Sequence, residues 1–164
     1  MTMNIETIIR ELEMQPHPEG GYYKETYRSV ETLTTDDGRT RNLCTAIYYL
    51  MCDDNISHLH RIKSDEIWLF HQGDPVEMIL IEGNRLRTVS LGNNLPTGER
   101  PQVVAPAGSW FGARIKGGKG HALVSCTVSP GFVFQDFELG KESDFAEMDC
   151  YREIKPMISS AGAM

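Results

Sequence analysis

The chain has 164 residues, 40% of them apolar or aromatic, which suits one domain with a sizeable core. Sixteen Lys+Arg against twenty-three Asp+Glu give a formal charge of −7, a balance that excludes the basic patch of a nucleic-acid surface. No apolar run approaches the roughly 18 residues of a membrane-spanning helix, and the opening MTMNIETIIRELEM lacks a signal peptide's apolar stretch.

Residues 4–14 predict a short amphipathic helix, with Asn4 as its cap and Ile5, Ile8, Ile9 and Leu12 on one stripe. Pro16 and Pro18 end it. Tyr22–Arg28 then predicts a strand, followed by a polar turn, TTDDGR, at 34–39. Further strands are expected at Leu43–Met51, Ile56–Arg61, Glu66–Gln72, Val76–Glu82 and Arg85–Leu91, with Gly83-Asn84 as a two-residue hairpin link. Beyond the loop at 92–101 come Gln102–Ala105, Ser109–Ile115, His121–Val128 and Phe132–Glu138, and then a helix over 143–151. About ten short strands with turns every 8–12 residues predict an all-β jelly-roll barrel, over about 21–139, between two short terminal helices. No repeat or linker divides the chain, so residues 1–164 form a single domain. The four cysteines have no CxxC spacing, and reduced thiols in a cytoplasmic protein are expected, although an even count leaves disulfides open.

The densest polar cluster is SHLHRIKSDEIWLFHQGD at 57–74. His58 and His60 are two apart, so on a regular strand both face one way, and Glu66 opens the next strand. Two imidazoles and a carboxylate suit a divalent metal, or a general base beside its orienting carboxylate, or a plain hydrogen-bonded histidine pair. If Glu66 points inward, alternation sends Trp68, Phe70 and Gln72 inward and His71 outward. Trp68 and Trp110 are candidates for an aromatic wall, and Gln102, Lys24, Arg28 and Asp136 are candidate polar groups. Tyr22, Lys24, Thr26 and Arg28 share one face of their strand and Tyr23, Glu25 and Tyr27 the other, with nothing to say which is inner. Asp136, between Phe134 and Phe137, is either exposed or buried against a partner.

His58-x-His60, five residues, Glu66, six residues and Gly73 nearly reproduce the first cupin motif. Pro106-Ala107-Gly108-Ser109-Trp110-Phe111 resembles the second, with Phe111 where that motif has histidine. More closely, HPEGGYYKETYRS (17–29), Ser57-x-x-His60-Arg61, SDEIWLFHQGDP (64–75), PQVVAPAGSWF (101–111) and VSPGFVFQDFEL (128–139) resemble the cupin-5 family of small cupins. His58 falls where that family's motif is open. The resemblance implies a cupin jelly roll, a homodimer joined near the 22–28 edge, and kinship with sugar-nucleotide epimerases as well as seed-storage cupins. It points to an isomerase or epimerase for a sugar-like or nucleotide-linked small molecule. There His60 would be the base, Glu66 or Asp136 would fix its tautomer, and a tyrosine would return the proton. A non-catalytic ligand sensor and a metal-dependent oxygenase using His58, His60 and Glu66 are the alternatives. The loss of the histidine at Phe111 favours a pocket without an obligatory metal.

Overall fold

The computed structural model describes residues 4–18 and 20–160. Residues 1–3, Glu19 and 161–164, which the single-domain reading includes, lie outside the described residues. Helix α1 (Ile5–Glu11) is capped by the Asn4 side chain, which accepts from the Glu6 amide at 3.3 Å. It ends earlier than the expected 14, because Glu13 turns to φ 51° and Gln15–Pro16 pairs as a short strand, β1, with Tyr22–Tyr23.

The remaining strands are β2 (Tyr22–Arg28), β3 (Thr32–Thr34), β4 (Thr40–Asn42), β5 (Thr45–Cys52), β6 (Ile56–Arg61), β7 (Asp65–Gly73) and β8 (Val76–Glu82). They continue with β9 (Arg85–Leu91), β10 (Gln102–Ala105), β11 (Trp110–Ile115), β12 (His121–Ser129) and β13 (Glu138–Leu139). One sheet runs β1-β2-β5-β12-β7-β10, the other β13-β6-β11-β8-β9, and β3-β4 is a separate small hairpin around the expected 34–39 turn. The result is a jelly roll built as two facing antiparallel sheets, with no hydrogen-bonded ladder closing them into a barrel among the described residues.

Alternation fills three layers. Between the sheets lie Met51, Trp68, Met78, Leu80, Phe111 and Val124 with their neighbours. Ile8 of α1 covers Leu50 and Leu123 on the outer face of the first sheet. Phe145, Ile154 and Met157 cover Leu59, Ile79 and Trp110 on the outer face of the second. The four cysteines are free thiols. No helix among the described residues is long and apolar enough to cross a membrane.

Two expected elements differ. Phe132–Glu138 is a strand only at its end, because Phe134–Asp136 coils into a 3-10 turn that delivers the Asp136 carboxylate to Arg39 and Arg41. The 143–151 helix is broken into α2 (Glu142–Phe145) and α3 (Tyr151–Ile154), because the buried anchors Phe145 and Cys150 are five apart, off the helical repeat.

Candidate functional site

At one end of the sandwich the two sheets part around a cavity of about 580 Å³. That volume is within the usual range for small-molecule sites. Strands β2 and β5 contribute Tyr23, Glu25, Ile47 and Tyr49, β6 gives Ser57 and His60, and β7 and β12 give Glu66, Trp68 and Cys126. Phe132, Phe134 and Phe137 close the wall from the segment between β12 and β13, and His17 reaches in ahead of β2.

His60 is 6% exposed and lies between Phe111 (centroids 4.2 Å apart) and Phe137 (5.1 Å, stacked). Its Nδ1–H donates to the His58 carbonyl at 2.8 Å. A carbonyl can only accept, so this bond fixes the tautomer and leaves the lone pair on Nε2. The tautomer is therefore held by backbone, and neither Glu66 nor Asp136 takes the orienting role expected for them. Burial lowers the His60 pKa to about 4, opposed by that backbone bond and reinforced by His17 and His58. Burial also lowers the pKa of His17. Both imidazoles are neutral at pH 7.

Glu66 behaves in the opposite sense. Burial pushes its pKa up to about 7. The Cys126 thiol and the Trp68 indole N–H face the carboxyl and oppose that shift, although the indole N–H closes no hydrogen bond.

Several expected groups are elsewhere. His58 does not line the cavity: Phe111 pairs with His60 and Ala113 with Ser57, so His58 and Leu59 together oppose the single residue Gly112. This β-bulge puts Ser57 and His60, rather than His58 and His60, on the inner face. Gly112 permits it, since a Cβ there would stand 2.8 Å from the Ser57 carbonyl oxygen. Trp110 lies on the outer face against Phe145, with Arg61 over its ring at 4.5 Å, because Phe111 beside it points inward. Gln102 is exposed outside the cavity. Lys24 is outward too, paired with Glu13 at 3.2 Å, whereas a bulge at Thr26 returns Arg28 to the cavity rim. A third bulge, at His71, turns Gln72 outward opposite Leu123, so the expected alternation stops at Phe70. His71 is on the outer face as expected, hydrogen-bonded to Ser125 at 2.6 Å. Asp136 is buried behind the wall and held by both Arg39 and Arg41.

Sequence reasoning missed His17, Tyr23, Tyr49, Ser57 and Cys126 as cavity groups. The signal for three of them was present in the HPEGGYY and Ser57-x-x-His60 motifs.

A family model described as cupin superfamily (DUF985), Cupin_5, matches residues 6–140. The chain belongs to this cupin family. The cupin is similar to a hypothetical protein from Leishmania major, at 36% identity and TM-score 0.85 over 94% of this chain and 98% of that one. Protein SO0799 from Shewanella oneidensis is similar at 35% identity and TM-score 0.85, over 96% and 99% of the two chains. The uncharacterized yeast protein YML079W (Saccharomyces cerevisiae) shares 27% identity over 155 residues, covering 86% of this cupin and 77% of the relative.

The divalent metal implied by the HxH and Glu pattern does not fit the donors of this cupin. The bulge turns His58 away, Phe111 offers no lone pair, and no three His, Cys, Asp or Glu side chains converge among the described residues.

Proposed function

We propose that this cupin binds a small, ring-bearing organic molecule between its sheets and moves a proton on it, as an isomerase or epimerase does. The observation that carries the reading is Glu66: a buried carboxyl in an aromatic-walled cavity, with its pKa brought to about 7 by burial. A group titrating at the working pH is present in both forms and exchanges protons with the least penalty. Glu66, rather than the histidine expected from sequence, is then the base. His60, with Nδ1 committed to His58, offers Nε2 as a hydrogen-bond acceptor that positions the ligand. Tyr49 donates its hydroxyl to the Gly20 carbonyl, which makes Tyr23 the cavity phenol for returning a proton. No step runs through a metal.

The test is proton exchange in D2O, followed by NMR across a panel of pyranoses, ketoses, amino sugars, cyclic amines and nucleotide sugars. Native protein should wash deuterium into one C–H of a substrate, Glu66→Gln should slow this by a factor of about 10² or more, and His58→Ala should leave it unchanged. Exchange by Glu66→Gln at the native rate would defeat the base assignment. Saturable binding without exchange would support a second reading, a non-catalytic sensor, which the low basicity of His60 favours.

The same proposal includes a cytoplasmic location, consistent with four free thiols, and a homodimer. Strand β1 pairs only with Tyr22 and Tyr23, so the Lys24–Arg28 edge of β2 has no partner strand among the described residues. Sheet edges of that kind are usually covered. Sedimentation at micromolar concentration should give twice the chain mass, and a monomer mass would end this part of the proposal.

A further inference from the structure

Among the residues lining the cavity, every cationic group is already accounted for. Arg28 gives Nε and Nη2 to the Glu25 carboxylate, both at 2.9 Å, and Nη1 to Asn42 at 3.0 Å and the Phe132 carbonyl at 3.1 Å. Its charge is cancelled and its fork is occupied. Lys24 is outside and paired with Glu13. His17 and His60 are neutral at pH 7. A phosphate or diphosphate entering here would lose its hydration and find no free cation, which is a steep cost.

The groups offered to a ligand have the opposite character. Tyr23, Tyr49, Trp68, Phe132, Phe134 and Phe137 present aromatic surface, and aromatic faces attract cations. Glu66, buried among them, has no positive partner: the ion pairs among the described residues do not include it. The groups facing this end of the cavity are Cys126 on β12, His60 on β6, His17, Tyr49 on β5, and Tyr23, Glu25 and Arg28 on β2, while the β10 residue opposite Glu66 is Ala105. None of them supplies a free positive charge.

We propose that the ligand of this cavity is an organic cation, a protonated amine or quaternary ammonium on an apolar or ring-bearing body, with Glu66 as its counter-ion in an aromatic cage. The inference rests on the small-molecule reading above and narrows it, since a nucleotide-linked ligand is disfavoured. It does not depend on turnover. A cation beside the carboxyl favours its ionised form, and the unpartnered Trp68 N–H gains an anionic acceptor at the same moment. Binding therefore releases the Glu66 proton. With the carboxyl titrating near 7 in the free protein, its ionised fraction, and with it the apparent affinity, rises about tenfold between pH 6 and pH 8.

Three probes test this by calorimetry at pH 6 and pH 8: benzyltrimethylammonium, benzyl alcohol and phenyl phosphate. The expected result is binding of benzyltrimethylammonium that is about tenfold tighter at pH 8, with proton release seen as a dependence of the heat on buffer. Benzyl alcohol should bind more weakly and without pH dependence, and phenyl phosphate should not bind. Glu66→Gln, with its fold checked by circular dichroism, should abolish the pH dependence for the cation and weaken it at pH 8. Preference for benzyl alcohol or phenyl phosphate, or an unchanged pH dependence in Glu66→Gln, overturns the cation assignment while leaving the small-molecule site standing. No binding of any probe overturns both.

Discussion

Replacing Glu66 with glutamine should make stability rise more steeply with pH between pH 4.5 and 6.5. Glu66 titrates at about 7 when folded against an ordinary 4.5, so the folded state holds its proton more tightly than the unfolded chain does. Its contribution is fully present at and below pH 4.5 and is lost as pH rises to about 7. The loss runs at about 1.4 kcal/mol per pH unit and comes to about 3 kcal/mol in all. His60 has the reverse dependence. Its pKa falls from 6.5 to about 4, so stability is fully present above pH 6.5 and is lost as pH drops toward 4, again by about 3 kcal/mol.

Over the shared window the two slopes have opposite sign, and the lowered pKa values of His17 and His58 add to the His60 side. Glu66→Gln removes the falling limb, leaving a His60 contribution that climbs with pH by about 2 kcal/mol across the window. His60→Asn removes the His60 share of the rising limb and so tilts the profile the other way, toward a decline with pH. Urea unfolding at pH 4.5, 5.5, 6.5 and 8 reads the slopes directly, whatever constant offset each substitution adds. Parallel profiles for the native protein and Glu66→Gln would show that Glu66 is not held protonated by burial. The same pair explains why a cavity so poor in compensating charge is tolerated: between about pH 4 and 7 both groups are mostly in their uncharged forms, and the unmet charge is deferred to the ligand.

Much of this site was legible in the sequence wherever strands keep strict alternation. Glu66 and Trp68 point inward together, and His71 outward, as period two requires. The failures fall at bulges. At Gly112 two residues of β6 oppose one of β11, which breaks the apparent His58–His60 pair and makes Ser57-x-x-His60 the functional spacing. At Thr26 the same device separates Lys24 from Arg28, and at His71 it separates Gln72 from Trp68. A bulge depends on the partner strand, so one strand's own residues do not announce it.

Trp110 is a different kind of failure. Phe111 takes the inward histidine position of the motif, so the residue beside it has to face out, and strand geometry alone placed Trp110 under the C-terminal helices. His17 and Asp136 lie in irregular segments, where no periodicity exists to read. The fold was more legible than the site because layers tolerate a one-residue slip that a cavity wall does not.

Asp136→Ala should cost about 3–5 kcal/mol, the penalty for removing one partner of a buried ion pair. The Asp136 side chain is only 4% exposed, and Arg41 meets it with two bonds, Nε at 2.7 Å and Nη2 at 2.8 Å, while Arg39 adds Nη1 at 3.0 Å. The arginines are themselves 13% and 18% exposed; Arg39 would keep Asp37, but alanine would strand the Arg41 guanidinium with little access to water. The Arg41 hydrogen bond holds the Asp136 pKa below its ordinary 3.8. This stabilisation is therefore complete above about pH 4 and disappears only as pH falls through the lowered value. It is constant across the window where Glu66 and His60 titrate, so the two effects separate by pH. The consequence for function is local. Asp136 ties the β3–β4 hairpin to the 3-10 turn that carries Phe134, Gln135 and Phe137 into the cavity wall. Releasing it should deprotect amides at 132–138 and 32–42 in hydrogen exchange well before the amides of β5 and β12, and should weaken ligand binding along with them. Asp136→Asn, which keeps one acceptor oxygen, should fall between alanine and native. Urea unfolding within 0.5 kcal/mol of native for Asp136→Ala, with unaltered exchange in both segments, would mean that the wall stands on its aromatic packing alone.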